Sequence, residues 1–321
     1  MPVTVPEHAV EVIDVCKTYA GQRGQPPVHA LDHVSLTIER GAFFGLLGPN
    51  GAGKSTLINI MAGRVVRGAG SVRIWGADVD AEMRAARRAI GVVPQELNLD
   101  PFFTPRELLE LQAGLYGVPK ELRRTDEILE AVGLSAQAGA YARRLSGGMR
   151  RRLLVAKAMV HSPPVLVLDE PTAGVDIELR RQLWSYVRHL NAQGTTILLT
   201  THYLEEAEAL CDRIAIIDHG RLIACEPTAA LLKRLDAKEL IVTVHESLSG
   251  VPEALRRYDP QPDGPNRLVF RYPPSRIEDG EILAAINDAG LKVAVVRTKE
   301  TELEDIFVQL TGGGKTPAAR Q

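Results

Sequence analysis

The chain has 321 residues, which is long enough for one large domain and a small second one. Its apolar content of 45%, charged content of 24% and net charge of −2 are those of a globular protein and argue against nucleic-acid binding driven by electrostatics. The three scattered cysteines exclude a disulfide framework and favour a reducing compartment, and neither a signal peptide nor a membrane span is predicted.

Two half-buried strands are predicted near the amino terminus, at residues 11–19 and 30–40, because apolar and polar residues alternate there. A loop rich in glycine, glutamine and proline separates them. Tyr19, at the end of the first strand, has two interpretations. It is either a half-buried strand-end tyrosine or a platform on which an adenine ring stacks.

The next stretch fits the phosphate-loop pattern G-x-x-x-x-G-K-[S/T]. An apolar run at residues 43–47 precedes it as a buried strand, and residues 57–61 continue it as a helix. Backbone N–H groups in such a loop, together with the helix N-terminus, bind phosphate oxygens. Lys54 would reach the β- and γ-phosphates of a nucleotide, and Ser55 would ligate Mg²⁺. The loop comprises Gly48, Pro49, Asn50, Gly51, Ala52, Gly53, Lys54, Ser55 and Thr56.

A helical insertion is predicted at residues 96–160. Strands at residues 70–75 and 89–93 precede it, and Gln95 follows the second strand. A glutamine at such a position is usually only a solvated residue. Within the insertion, apolar residues recur at three- and four-residue spacing, which predicts helices at residues 106–116, 122–132 and 146–159.

The third of these helices begins with an unusual polar and glycine-rich segment. Ser146 is a good N-cap, and Gly147 and Gly148 leave the helix start open to a close ligand. The segment is therefore either an ordinary capped helix or a second anion site. Arginines also cluster here, and without interleaved aromatic residues they indicate solvated helix faces paired with acids rather than a nucleic-acid patch. They are Arg143, Arg144, Arg150, Arg151 and Arg152.

Two acids follow the apolar run at residues 165–168, which is typical of a central parallel strand. Ligands bind at the carboxyl ends of such strands, so Asp169 and Glu170 are interpreted as ligand-binding acids rather than as an ordinary pair of surface acids. In a phosphate-loop protein the first acid can hold Mg²⁺ through water, and the second can take a proton from attacking water.

A helix at residues 177–190 and a strand at residues 195–200 come next, followed by His202. As a lone histidine, His202 would more often be structural, but at a strand's carboxyl end it can hydrogen-bond a terminal phosphate. Strands at residues 214–218 and 221–224 form a predicted hairpin around a His-Gly turn.

Taken in order, these motifs resemble the ATP-hydrolysing subunit of ATP-binding-cassette (ABC) transporters. The resemblance covers residues 10–235 and adds a D-loop at residues 173–176. It implies an α/β fold, namely an ABC-type phosphate-loop ATPase domain at residues 10–236 with a helical subdomain at about 96–160. Within it, Tyr19 matches the aromatic A-loop residue, Gln95 the Q-loop glutamine, residues 145–149 the signature, Asp169 and Glu170 the Walker B acids, and His202 the switch histidine.

The resemblance also implies a mechanism. Two subunits close head to tail around two ATP molecules, so that Ser146 and Gly148 of one contact the γ-phosphate held by the other's phosphate loop. Asp176 then communicates across the dimer.

The resemblance further assigns the hydrolytic roles. Gln95 senses Mg²⁺ and the attacking water, which Glu170 polarises. His202 steadies the γ-phosphate.

One position departs from the family pattern. The signature usually ends in glutamine, whereas this chain has Met149 followed by three arginines. That variant resembles drug-resistance exporters, whose partner is a separate ABC-2-type permease. It implies a cytoplasmic subunit attached through the permease to the inner face of the cytoplasmic membrane, paired with a second copy of itself and without nucleic acid. The alternatives are a soluble ABC ATPase with no transport role and a nucleotide-dependent scaffold that barely hydrolyses ATP.

A small C-terminal α/β domain is predicted at residues 237–312. Strands are expected at residues 239–244, 267–271 and 292–297, with helices at residues 252–257 and 277–289. A final helix is expected to start at a capping box formed by Thr301 and Glu304. Residues 313–321 are predicted to be a flexible tail.

Overall fold

The computed structural model describes residues 5–21, 26–173, 175–234, 238–248, 250–274, 276–300 and 303–311. The chain divides into two compact units, Met1–Thr228 and Ala229–Gln321. The predicted division between residues 236 and 237 lies outside the described residues. Within the described ranges, no helix is both long enough and apolar enough to cross a membrane.

The first unit combines two sheets with helices. Its strands are β1 (His8–Tyr19), β2 (Val28–Glu39), β3 (Phe43–Leu47), β4 (Ala69–Ile74), β5 (Ala77–Asp78), β6 (Ile90–Val93), β7 (Val165–Asp169), β8 (Thr196–Thr200), β9 (Arg213–Asp218) and β10 (Arg221–Pro227). Its helices are α1 (Lys54–Met61), α2 (Met83–Ala89), α3 (Pro105–Leu115), α4 (Thr125–Ala131), α5 (Gly147–Met159), α6 (Ile177–Ala192) and α7 (Leu204–Leu210). Helix α8 (Thr228–Leu232) follows at the division between the units.

The six-stranded sheet carries the site. Its order is β10-β9-β3-β8-β7-β6, and every pair is parallel except the β9–β10 hairpin. Strands β3 and β8 are buried along their whole length, which explains why the interior of β8 is apolar between its terminal threonines. Because the strands are parallel, the residues that follow β3, β6, β7 and β8 emerge at one edge of the sheet.

The four-stranded sheet is antiparallel, in the order β2-β1-β4-β5. One apolar core joins it to the six-stranded sheet and to α1. Val12 on β1, Phe44 on β3 and Leu57 on α1 are fully buried members of that core. Helix α1 is thereby held with its first residue at the end of the phosphate loop.

The predicted insertion is helical and has its own core. Leu109 on α3, Leu129 on α4 and Leu153 on α5 pack together. Helix α3 starts at a capping box in which the Thr104 hydroxyl accepts from the Glu107 N–H and the Glu107 carboxylate accepts from the Thr104 N–H. The helix predicted at residues 122–132 begins later, at Thr125, after a separate 3-10 turn.

The second unit is a small antiparallel sheet with helices. Its strands are β11 (Lys238–Val244), β12 (Gln261–Pro262), β13 (Arg267–Tyr272) and β14 (Val293–Glu300), in the order β12-β13-β11-β14. Its helices are α9 (Asp279–Asp288) and α10 (Leu303–Thr311). The helix expected at residues 252–257 is a 3-10 helix, Glu253–Tyr258. The Thr301 cap and the tail at residues 313–321 lie outside the described residues.

Candidate functional site

The phosphate loop joins β3 to α1 in a backbone path that requires glycine. Gly53 caps α1 with φ 110°, and a Cβ atom there would lie 2.4 Å from the carbonyl oxygen of Ala30. A Cβ atom on Gly48 would lie 2.2 Å from the carbonyl oxygen of Ile217. Neighbouring strands therefore pack directly against the loop. Asn50, Gly51 and Ser55 are exposed on its outer side.

Lys54 is the buried cation of this loop, with 8% of its surface exposed. Its Nζ donates to the carbonyl oxygen of Gly48 at 2.6 Å and to that of Pro49 at 3.1 Å. Burial lowers the pKa of Lys54, and the charges of Glu170 and Asp169 oppose that shift. The ammonium is thus close enough to Asp169, at the end of β7, and to Glu170, which follows it, for their charges to act on it.

The β7 acids are held by the adjacent strand β8. Asp169 accepts a 2.6 Å hydrogen bond from the Thr200 hydroxyl. Burial raises the pKa of Asp169; the Thr200 hydrogen bond lowers it, and the neighbouring charge of Glu170 raises it. The backbone N–H of Glu170 donates to the Thr200 carbonyl at 3.0 Å, and Glu170 itself adopts a left-handed φ of 48°. The chain therefore turns sharply at Glu170 as it leaves the sheet.

Two residues from other parts of the chain meet the Glu170 side chain. Gln95, after β6, donates from Nε2 to Oε2 of Glu170 at 2.7 Å. Nδ1 of His202, after β8, lies 3.5 Å from the same oxygen. This cluster brings an amide, a carboxylate and an imidazole to one edge of the sheet. A carboxylate so placed can take a proton from water, with hydrogen-bonding groups on both sides.

Arg151 ties α5 to the segment that carries Gln95. Its side chain is 5% exposed, and Nη1 donates to the carbonyl oxygens of Pro94 at 2.9 Å and Gln95 at 2.8 Å. Burial lowers its pKa, opposed by the charges of Glu170 and Asp169. Arg152 likewise donates to the carbonyl oxygen of Val132 at 2.7 Å. The prediction of a solvated arginine is therefore wrong for the buried Arg151.

The signature segment begins α5 but does not join this cluster. The Ser146 hydroxyl accepts from the Met149 N–H at 3.2 Å, as an N-cap does. Ser146 and Gly147 are exposed, and Gly148 is half-buried. Within the described part of the chain, no hydrogen bond joins Ser146 to the phosphate loop or to Glu170. Met149 packs partly against the helical core, so an apolar contact replaces the amide of the usual glutamine.

Two other predicted residues have contacts with different parts of the described chain. Tyr19 is 39% exposed, and its ring centroid lies 5.0 Å from Nζ of Lys17. Asp176 is exposed at the start of α6, where its carbonyl oxygen accepts from the Arg180 N–H, and its charge acts on Arg152. Gly174, in the predicted D-loop, lies outside the described residues.

Sequence reasoning missed Thr200. The only signal in the sequence was a polar residue at the end of an apolar strand, and the structure adds that Thr200 pairs in register with Asp169. Its hydroxyl orients the acid expected to hold Mg²⁺. The residues expected at that ion, Ser55, Gln95 and Asp169, offer only oxygen donors for it, which fits a hard divalent cation.

The chain matches known proteins over most of its length. The family model described as ABC transporter matches residues 31–173. Nod factor export ATP-binding protein I of Ralstonia nicotianae is 37% identical, over 88% of this chain and 89% of its own. Daunorubicin/doxorubicin resistance ATP-binding protein DrrA of Streptomyces peucetius is 36% identical, over 96% of this chain and 94% of its own.

Solved structures agree with this assignment. The ATP-binding subunit of an ABC transporter superposes with a TM-score of 0.64 at 29% identity, over 70% of this chain and 92% of its own. A dimeric cassette in a post-hydrolysis state, bound to ADP and Pi, superposes with a TM-score of 0.62 at 30% identity, over 68% of this chain and 98% of its own. The expected fold class is confirmed. The chain belongs to the ABC transporter family, as an ATP-binding and ATP-hydrolysing subunit of the transport-associated kind.

Proposed function

We propose that this chain is the motor subunit of an ABC-2-type exporter and acts through a separate membrane permease. The observation that carries the proposal is the convergence of Gln95 and His202 on the Glu170 carboxylate, beside a buried phosphate-loop lysine. Export, rather than import, is supported by the relatives, which are named for Nod factor export and for daunorubicin/doxorubicin resistance. The transported substrate is then set by the permease.

In the proposed reaction, the loop N–H groups and Lys54 bind the phosphate chain of ATP. Ser55, Asp169 and Gln95 would hold Mg²⁺, which would screen charge on the phosphate oxygens. Glu170 takes a proton from the attacking water.

The neighbours of Glu170 complete this proposed site. Gln95 holds the Glu170 carboxylate in place, and His202 hydrogen-bonds the terminal phosphate. Tyr19, exposed at the end of β1, supports the adenine ring.

We further propose that the site is completed by the signature of a second copy. Ser146 and Gly147 are exposed, and Ser146 makes no hydrogen bond to its own phosphate loop among the described residues. A related cassette is a dimer after hydrolysis. In a head-to-tail pair, Ser146 and Gly148 of one copy complete the phosphate loop of the other, and Asp176 lies near the shared interface.

Mixing two inactive variants tests this pairing. Lys54→Ala removes the loop cation, and Ser146→Arg blocks the signature. In a mixed head-to-tail dimer one site carries both changes and the other carries neither, so mixing restores up to about a quarter of the wild-type rate. If each chain held a complete site, the mixture would be as inactive as its components.

An exposed apolar surface on the helical subdomain is the proposed contact for the permease, and co-purification tests it. Phe102 is 67% exposed, and Leu111 and Leu115 on α3 are also exposed, which gives the helical subdomain an apolar surface. Phe103 packs partly into the helical core instead.

From detergent-solubilised membranes we expect the chain to co-purify with a protein of about six apolar spans. Phe102→Asp should remove that partner and leave basal ATP hydrolysis intact. Purification with nucleic acid only would contradict the transport role.

A further inference from the structure

A buried carboxylate lies next to the catalytic cluster without belonging to it. Glu206 on α7 is 8% exposed. Its Oε2 accepts from the hydroxyl of Thr172 at 2.9 Å and from that of Thr201 at 3.2 Å. Its Oε1 accepts from the indole N–H of Trp184 at 3.2 Å and lies 3.3 Å from Nε of Arg180. A buried carboxylate is stable only with such partners, so the loss of any one of these contacts would be energetically costly.

One of these contacts holds the segment that follows Glu170. Thr172 is fully buried, two residues beyond Glu170. The turn between them is closed by a hydrogen bond from the Ala173 N–H to the Glu170 carbonyl oxygen. The Thr172 carbonyl oxygen accepts in turn from the Val175 N–H. Glu206 therefore fixes the backbone from which the Glu170 side chain projects.

The other contact holds the segment that carries His202. Thr201 is buried immediately before it, and the Thr201 hydroxyl accepts from the Tyr203 N–H at 3.0 Å. A second path runs through Arg180, whose guanidinium lies 4.5 Å from the Tyr203 ring centroid. The Tyr203 ring in turn lies 4.2 Å from that of His202. Both sides of the switch histidine are thus tied to the same carboxylate.

We propose that Glu206 is a positioning residue for ATP hydrolysis: by clamping Thr172 and Thr201 to one carboxylate, it sets the separation between Glu170 and His202. Glu206 is buried, and we assign it no contact with the nucleotide or the attacking water. It acts because a misplacement of about 1 Å between reacting groups costs up to about 100-fold in rate. The inference rests on the proposed role of His202 in hydrolysis.

The test removes one arm of the clamp without removing the buried charge. Thr172→Val keeps the side-chain shape and loses the hydroxyl. We expect kcat for ATP hydrolysis to fall about tenfold while the KM for ATP stays within about twofold, because only the placement of the reacting groups changes. Thr172→Ser should restore kcat. The matched control is Thr228→Val, which removes a buried hydroxyl bonded to the Cys211 carbonyl, away from the site, and should leave kcat unchanged.

A double variant separates positioning from general stability. In a His202→Ala background the separation set by the clamp no longer matters, so Thr172→Val should lower kcat no further. An equal further loss in that background, or an unchanged kcat in Thr172→Val alone, would overturn the inference. If His202→Ala alone leaves kcat unchanged, the proposed role of His202 fails instead, and the two failures are therefore distinguishable.

Trp184 offers a spectroscopic check. The chain has two tryptophans, so Trp75→Phe leaves Trp184 as the reporter. In that background Glu206→Gln should shift the Trp184 emission, because the indole N–H loses its charged acceptor. Thr172→Val should shift it less, since Trp184 keeps the carboxylate. An emission spectrum insensitive to Glu206→Gln would contradict the contact on which the clamp depends.

Discussion

The side-chain amide of Gln95 donates a 2.7 Å hydrogen bond to Oε2 of Glu170, although the two residues lie 75 positions apart in the chain. The same Glu170 oxygen lies 3.5 Å from His202. The Glu170 carboxylate is therefore flanked by Gln95 and His202 within the protein itself. A displacement of the Gln95 segment would release the Glu170 carboxylate from this hydrogen bond.

Replacing Glu170 tests its role as the proton acceptor. In Glu170→Gln the side chain keeps its shape and loses its charge. Binding of ATP should remain, whereas the rate of phosphate release should fall about 10²–10⁴-fold, which is typical of a lost general base. Binding is measured by calorimetry and turnover by phosphate release. Glu205→Gln, at an exposed position on α7, is the control. Near-normal turnover in Glu170→Gln would remove Glu170 from this role and favour a scaffold function.

Thr200 is expected to set the affinity for the divalent cation. Its hydroxyl donates to Asp169 at 2.6 Å, and partners that orient a metal ligand typically contribute about 10–100-fold in metal affinity. Thr200→Val should therefore raise the Mg²⁺ concentration that gives half-maximal ATP hydrolysis by about tenfold. Thr196→Val, at the other end of β8, removes a hydroxyl bonded to the Gly41 N–H and should leave that concentration unchanged. An unaltered Mg²⁺ dependence in Thr200→Val would show that Asp169 needs no such support.

Arg151 is expected to stabilise the first unit. Arg151→Met leaves the carbonyl oxygens of Pro94 and Gln95 without their buried donor, which should cost about 2–3 kcal/mol. The midpoint of thermal unfolding should fall by about 5 °C, and kcat should fall with it because the Gln95 segment loosens. The exposed Arg144 provides the control, as Arg144→Met. Equal midpoints for the two variants would contradict a structural role for Arg151.

His161 makes stability depend on pH. Its ring stacks on Tyr116 with centroids 3.6 Å apart, Nε2 lies 3.2 Å from the Ile90 carbonyl oxygen, and burial lowers its pKa to about 4. Between about pH 6.5 and pH 4 the unfolded histidine binds a proton and the folded one does not. Stability is therefore lost as the pH falls through this window, by about 2 kcal/mol after allowance for partial exposure.

The variant His161→Gln has no titrating group at this position, so its unfolding free energy should fall less steeply than that of the wild type over the same window. Denaturant unfolding at several pH values measures the difference. His189→Gln, on the exposed face of α6, should keep the wild-type slope. Parallel curves for the wild type and His161→Gln would contradict the effect of burial.

Much of the site could be predicted from the sequence because its chemistry depends on short, ordered spacings. The phosphate loop needs glycines at fixed positions between a strand and a helix, and residues 48–56 have them. Asp169 and Glu170 stand out in the sequence because acids rarely end a fully apolar strand. The hairpin at His219 and Gly220 is confirmed, and both residues have the positive φ that a tight turn requires.

Other parts depend on contacts that a local pattern does not contain. Helix α7 is only seven residues long, too short to show helical periodicity, so it was not predicted. The burial of Glu206 depends on partners at residues 172, 184 and 201. Arg151 did have a sequence signal, because it lies three and four positions before the buried Leu154 and Val155. Because arginine is charged, however, the pattern predicted a solvent-exposed side chain rather than one on the apolar face of α5.

The ammonium group of Lys54 donates hydrogen bonds to two carbonyl oxygens of its own loop, those of Gly48 and Pro49. An ammonium group has three N–H donors, so one donor remains for an arriving phosphate while the two carbonyl oxygens keep the side chain in place. The conformational entropy of the long Lys54 side chain is therefore lost when the chain folds, and little of it remains to be lost when a nucleotide binds.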